Sequence, residues 1–226
     1  MASDTARTGT QACPALVLAS ASPRRLDLLS QIGIVPDAVV SADVDEEPRP
    51  GEMPRPLSER LARAKADHVA NLRADPALVL GADTVVAVGR RILPKAEDEA
   101  TARRCLTLLS GRRHKVITTV VLRPTKAWEA GRSSERVVES TVIFARLTND
   151  HIDALIAQGD WRGKAGGYAI QGAAAAHIRQ IGGSYSAVVG LPLFETAQLL
   201  RGQIRREGCG IARLQSALLA LQLKFG

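Results

Sequence analysis

Ala15-Leu-Val-Leu-Ala-Ser-Ala-Ser-Pro-Arg-Arg25 decides the fold class. The apolar run from Ala15 to Ala19 is too short for an ordinary helix and fits a strand covered on both faces. Ser22-Pro23 then opens a helix, with serine at the N-cap and proline at the first helical position, where a missing N–H costs nothing. Leu26, Leu28, Leu29 and Ile32 form the apolar side of that helix, and Gly33 ends it. Strand, tight turn and helix in succession open an α/β unit and turn backbone N–H groups toward an anion. Arg24 and Arg25 stand in the first helical turn, where the dipole is positive and each cation costs about 0.3–1 kcal/mol. A bound phosphate reverses that sign, since it meets amides, dipole and guanidiniums together. The plain alternative is a pair of solvated surface arginines.

Outward from this stretch the alternation continues. Residues 37–42 read as a strand, followed by an acidic turn from Asp43 to Glu47 and a loop carrying Pro48, Pro50, Pro54 and Pro56. Residues 58–72 have helical spacing, with Leu61, Val69 and Leu72 on one stripe. Residues 77–84 read as a buried strand, and residues 84–88 and 91–93 as a hairpin across Gly89-Arg90. A helix from about Glu97 to Gly111, strands at 115–123 and 135–147 and a short helix at 149–158 come next. A glycine-rich loop then precedes a strand at 173–181, the turn Gly182-Gly183-Ser184 and a last helix after Pro192. Hairpins interrupt the strand–helix alternation, so the expected sheet is mixed, within an α/β fold.

The chain has 226 residues, 46% hydrophobic and 23% charged, a globular balance that excludes wholesale disorder. Aromatic residues are only 3%, so Leu, Val, Ile and Ala must build the core, and stacking platforms for nucleic-acid bases are scarce. The formal charge of +7 favours an anionic partner without choosing among nucleic acid, nucleotide and phosphate. Cys13, Cys105 and Cys209 lie far apart with no CxxC pair, which argues against a disulfide framework or a zinc knuckle and for a reducing compartment. The first fourteen residues are polar, and the apolar run after them is too short for a signal peptide or membrane span. The expectation is a soluble cytoplasmic protein with no membrane partner.

Three features break local rules. Lys65 sits on the apolar stripe of its helix, between Leu61 and Val69; snorkelling to the core edge is the ordinary explanation, a site lysine the other. Asp83 ends the apolar run Leu78-Val-Leu80, and α/β sheets place ligand sites at the carboxyl ends of strands. A carboxylate there can hold a divalent metal or act as general base on water, or can bond its own turn backbone. Residues 163–172, Gly-Lys-Ala-Gly-Gly-Tyr-Ala-Ile-Gln-Gly, let backbone approach a ligand closely without forming a Walker A motif, and Gln171 could present a donor and an acceptor to a base edge. His68, His114, His151 and His177 lack HExxH spacing, no GxSxG elbow is present, and Trp128 and Trp161 read as core anchors.

Several segments taken in order resemble the Maf family of nucleoside triphosphate pyrophosphatases. They are Ser20-Ala-Ser-Pro-Arg-Arg25, Val44-Asp-Glu46, Ala62-Arg-Ala-Lys65, Gly81-Ala-Asp-Thr84, Leu109-Ser-Gly111 with His114, residues 163–172, and Gly183-Ser-Tyr with Val189-Gly-Leu-Pro192. The similarity runs from about residue 15 to 201 and looks like the branch that hydrolyses dTTP and UTP. It implies an elongated mixed central sheet flanked by helices, two lobes around a cleft, a divalent metal (Mg²⁺ or Mn²⁺) and a cytoplasmic enzyme. By similarity, Asp83 matches the proton acceptor, and Arg24, Thr84 and Gln171 match positions linked to choice of nucleobase. Glu46, Lys65 and Lys95 belong to the cluster around metal and phosphates, with Asp83 and Glu46 as metal ligands, and Ser20 and Arg25 to the phosphate loop.

The chain departs from the family pattern at Lys95-Ala96, where Lys-Pro is common, and at Thr119, where glycine or alanine is frequent. The implied reaction is attack of water on the α-phosphorus, with release of pyrophosphate. Competing expectations are the same chemistry on another nucleotide such as 7-methyl-GTP, or a non-enzymatic nucleic-acid or regulatory binding protein. Against the latter, basic residues are spread along the chain and aromatics are few. The expected organisation is a loose segment at 1–14, the enzymatic domain at 15–201, and a helical extension at 202–226. In that extension Ile211, Leu214, Leu218 and Leu221 make an apolar stripe suited to the core or to a second subunit in a homodimer.

Overall fold

A parallel half and an antiparallel half share one sheet in the computed structural model, which describes residues 14–204. Strand β1 (Ala15–Ala19) lies between β2 (Ala38–Val40) and β3 (Ala77–Val88), parallel to both. The pairing then turns antiparallel. β3 joins β4 (Arg91–Leu93) and β6 (Arg113–Pro124), β6 joins β7 (Ser134–Phe144), and β7 joins β9 (Ile178–Gly182). The short strands β5 (Lys95–Ala96) and β8 (Lys164–Ala165) form a ribbon of their own. Helices are α1 (Pro23–Gln31), α2 (Pro54–Leu72), α3 (Glu99–Leu109), α4 (Asn149–Gln158), α5 (Tyr185–Val189) and α6 (Leu193–Ile204). The expected mixed α/β sheet flanked by helices is what forms.

Alternation along β1 and β3 explains how both faces are covered. Leu16, Leu18, Leu78 and Leu80 pack with Leu28 and Leu29 of α1 and Leu200 of α6. Val17, Ala19 and Val79 face the other way, against Ala62, Ala66 and Val69 of α2. Helix α2 lies so close that a Cβ on Gly81 would stand 2.8 Å from both the Ala62 carbonyl oxygen and the Ala66 Cβ. A third cluster fills the far end, where Val86, Val142 and Phe144 meet α3 through Leu106 and Leu109 and α4 through Ile152 and Leu155.

The register leaves a gap. Pairing of β1 with β3 stops at Ala19 opposite Gly81, and pairing of β4 with β3 starts at Leu93 opposite Val86. Residues 82–85 of β3 therefore have no strand neighbour on that side among the described residues. The gap is the mouth of the expected cleft.

Several local expectations need correction. Helix α2 begins at Pro54, not Ser58. Proline at the first position and in the first turn lacks only N–H groups that a helix start leaves unpaired. The Ser22 side chain makes no capping bond; Ser20 Oγ instead accepts from Ser22 N–H at 3.1 Å. Residues 173–177 form a 3-10 turn, so β9 starts only at Ile178, and the short helix α5 follows the Gly183-Ser184 turn unannounced. The hairpin across Gly89-Arg90 forms as expected, with Gly89 at φ +60° and Val88 opposite Arg91. Trp128 and Trp161 are buried, as core anchors should be. The expected loose segment, apart from Pro14, which is buried, and nearly all of the expected C-terminal extension lie outside the described residues.

Candidate active site

Asp83 and Thr84 are neighbours in β3 and point to opposite faces, yet both line one cavity of about 310 Å³, because the strand edge is open at the gap. Asp83 lies on the face covered by α2. Its Oδ1 accepts from Lys65 Nζ at 2.6 Å, and both side chains are buried. Lys65 therefore reaches a carboxylate instead of snorkelling to solvent. The same ammonium stands 2.8 Å from Glu46 Oε1, while Glu46 Oε2 accepts from Lys95 Nζ. Glu46 thus ties the loop after β2 to Lys95 of the small ribbon. Burial alone would raise the Glu46 carboxyl, but bonds from Lys65 and Lys95 hold it down at about 2.

Below Asp83 lies a hydroxyl pair. Thr119 is the β6 residue opposite Asp83, and its Oγ1 lies 2.8 Å from Ser58 Oγ of α2. Ser58 Oγ also donates toward the Asp83 carbonyl oxygen at 3.2 Å. Thr119, the departure from the family pattern, thus fills the space beneath the carboxylate's backbone with a satisfied polar contact.

Arg25 is buried, and its partners explain its place in the first turn of α1. Nε donates to the Gly190 carbonyl oxygen at 2.8 Å, one Nη to Ser20 Oγ at 3.1 Å, and the other to Thr84 Oγ1 at 3.5 Å. Thr84 Oγ1 accepts as well from Thr118 Oγ1 at 3.0 Å. Ser20 does not line the cavity; it stands behind Arg25 and orients it. Arg24, one residue earlier, is half-buried at the cavity wall, and burial lowers its guanidinium from the usual value.

The opposite wall is the glycine-rich segment. Its shape is held by Trp161 Nε1–H donating to the Ile156 carbonyl at 2.9 Å and by Tyr168 Oη 2.8 Å from His114 Nε2. Asp160 Oδ2 accepts from Ala173 N–H at 2.9 Å. Gly167, at φ +68°, lies so close to α3 that a Cβ there would come within 3.1 Å of the Ala102 Cα. Gln171 lines the cavity at the end of this segment. Burial pushes His114 down to about 4, the nearby Arg112 backbone carbonyl only partly offsetting it, so at neutral pH it is an uncharged core group beneath Tyr168.

Of the residues singled out by sequence, Asp83, Lys65, Lys95, Arg24, Arg25, Thr84 and Gln171 line the cavity, while Ser20 and Glu46 touch residues that do. Lys164 lines it too and had been given no role; its place inside the glycine segment was the available signal. Asp83 and Glu46 are the carboxylates that converge, and they already hold one cation between them, the Lys65 ammonium. Among the described residues no group of three or more His, Cys, Asp or Glu assembles into a metal cage. Two carboxylates do suit a magnesium-type ion, which takes the rest of its shell from phosphates and water.

A family model described as "Maf-like protein" matches residues 15–203. The dTTP/UTP pyrophosphatase of Gluconobacter oxydans is 80% identical over 190 residues, covering 84% of this chain and 87% of that protein. The dTTP/UTP pyrophosphatase of Granulibacter bethesdensis is 60% identical over 204 residues, covering 84% and 93%. That of Paramagnetospirillum magneticum is 61% identical over 187 residues, covering 83% and 96%.

Proposed function

The chain belongs to the Maf family, and on that premise we propose that it hydrolyses dTTP and UTP to the nucleoside monophosphate and pyrophosphate. The observation that carries this reading is the buried Asp83 carboxylate, fixed at 2.6 Å by Lys65 in a cavity that Arg24, Arg25 and Lys95 also line. With Oδ1 taken by Lys65, Oδ2 is the acceptor for a water proton. The water oxygen bonds to the α-phosphorus, the bond from that phosphorus to the bridging oxygen breaks, and pyrophosphate leaves with the electron pair. Arg25 and Lys95 offset the charge that builds on phosphate oxygens, and Ser20 holds Arg25 in place for that contact. Arg24, Thr84 and Gln171 address the nucleobase.

Asp83 and Glu46 would hold a divalent ion, Mg²⁺ or Mn²⁺, which supplies Lewis-acid polarisation of phosphate oxygens when bound. No helix among the described residues is long and apolar enough to cross a membrane. The test is pyrophosphate release from dTTP, UTP, CTP, GTP, 7-methyl-GTP and ATP, with and without the metal ion, against Asp83→Asn. The expected result is metal-dependent turnover of dTTP and UTP that drops about 10²–10⁴-fold in the variant. Preference for 7-methyl-GTP would move the substrate. Salt-sensitive polynucleotide binding without hydrolysis of any triphosphate would replace the enzyme with a binding protein.

A further inference from the structure

The cations that line the cavity differ in their partners, and Arg25 is held by the Gly190 carbonyl and the Ser20 and Thr84 hydroxyls. Lys65 and Lys95 are matched by Asp83 and Glu46. Arg24 and Lys164 pair with no carboxylate among the described residues, although both line the same cavity. Lys164 Nζ has a single weak contact, with the Arg162 carbonyl oxygen at 3.5 Å. Burial lowers its ammonium, the Arg24 guanidinium lowers it further, and Asp160 acts in the opposite sense. Asp160 in turn bonds Ala173 N–H, next to the Gln171-Gly172 end of the segment. Lys164 belongs to the same segment as Gln171, and neither Asp83 nor Glu46 bonds it.

An ammonium is a donor with no acceptor capacity. Uracil and thymine offer keto oxygens at positions 2 and 4, whereas cytosine replaces the second with an amino group that is itself a donor. An ammonium with no carboxylate partner favours the keto oxygen at position 4 and disfavours the amino group that cytosine has in its place. Gln171 discriminates less sharply, because its amide offers both a donor and an acceptor and can turn over. We infer that Lys164 is a specificity-determining residue of this site, donating to the keto oxygen at position 4 of uracil or thymine and rejecting the amino group that cytosine carries there. The backbone presents it rigidly: residue 164 pairs with Ala96 across the β5–β8 ribbon, and Gly163 N–H donates to the Ala96 carbonyl at 2.9 Å.

This inference rests on the proposed pyrimidine triphosphatase activity, and one experiment separates the two. Specificity constants (kcat/KM) for UTP, dTTP and CTP are measured for the wild type, Lys164→Met and Lys164→Arg, with melting curves to show that each is folded. The UTP-to-CTP ratio is expected to fall about 10–100-fold in Lys164→Met and to be largely kept in Lys164→Arg. If Lys164→Met does not fold, Lys164→Ala is held to the same criterion. A wild type that cleaves no triphosphate overturns the proposed function and this inference with it. A wild type that cleaves UTP, beside a variant whose constants for all three nucleotides fall together, overturns the inference alone and makes Lys164 a phosphate contact. An unchanged set of constants overturns it too.

Discussion

Gly81→Ala perturbs the candidate site without touching any residue that lines it. The added Cβ would stand 2.8 Å from the Ala62 carbonyl oxygen, 2.8 Å from the Ala66 Cβ and 2.9 Å from the Ala66 nitrogen. All three belong to the body of α2, so no flexible side chain can swing aside. Carbon atoms settle at about 3.5 Å or more, so α2 must withdraw by about 0.7 Å. Lys65 lies between Ala62 and Ala66 and is carried along, opening its 2.6 Å bond to Asp83 toward about 3.3 Å. Overpacking of this kind costs about 1–3 kcal/mol, and the stiffer unfolded chain returns about 0.4–1 kcal/mol, leaving a net loss of about 1–2 kcal/mol. For a chain of this length that is a melting temperature lower by about 2–8 °C. If Asp83 is the base as proposed, misplacing its contact by this amount should reduce turnover of UTP about 10–100-fold. Thermal denaturation and steady-state pyrophosphate release on the same preparation supply both readings. A variant that melts and turns over like the wild type would refute the claim that close packing of α2 on β3 sets the Lys65–Asp83 contact.

Glu46→Gln should show its effect through pH. The folded carboxyl, at about 2, lies below its ordinary 4.5, so the Lys65–Glu46–Lys95 bridge contributes fully above about pH 4.5 and is lost as pH falls through about 2. That displacement is worth at most about 3.4 kcal/mol, and solvent screening of a side chain 35% exposed reduces it to about 1 kcal/mol. Urea denaturation should therefore separate wild type from variant at pH 7 and bring them together as pH falls through about 2; a gap that stayed constant over that range would rule out the bridge as its source. Gln171→Ala should reorder nucleotide preference more than it slows the best substrate, and competition assays across pyrimidine and purine triphosphates returning the original order would remove Gln171 from base selection.

The parts of the fold written in local chemistry were legible in the sequence. The run from Ala15 to Gly33 announces strand, turn and helix, and Gly89-Arg90 announces a hairpin, because each signal lies within a few residues of its effect. Helix α2 was legible except at its start, where prolines are as much at home in a helical first turn as in a loop. Helix α5 is five residues long, shorter than any periodicity can reveal. For the site, Lys65, Arg25 and Asp83 could each be marked as out of place. What put them out of place could not be seen, since the Asp83 partner is 18 residues away on another element and the Arg25 partner at Gly190 is 165 away. Glu46 stood among other acidic residues of a turn and had nothing local to distinguish it until two lysines closed on it. Lys164 escaped notice because a lysine in a polar glycine loop breaks no rule; only its lack of a carboxylate partner in three dimensions does.

β3 and β6 cross the molecule without interruption and hold register from Leu78 opposite Pro124 to Ala87 opposite Lys115. The wall behind the cavity is therefore one continuous ladder, with no flexible joint between the parallel and antiparallel halves. A hinge there would have to break main-chain bonds in the best-buried part of the sheet, a far larger cost than a side chain changing rotamer. Main-chain bonds hold that rear wall, whereas in front of the gap the Glu46 loop is tied only by side-chain ion pairs to Lys65 and Lys95, which cost far less to break. The rear of the site is thus a fixed template, and any adjustment to a ligand is cheapest at its front.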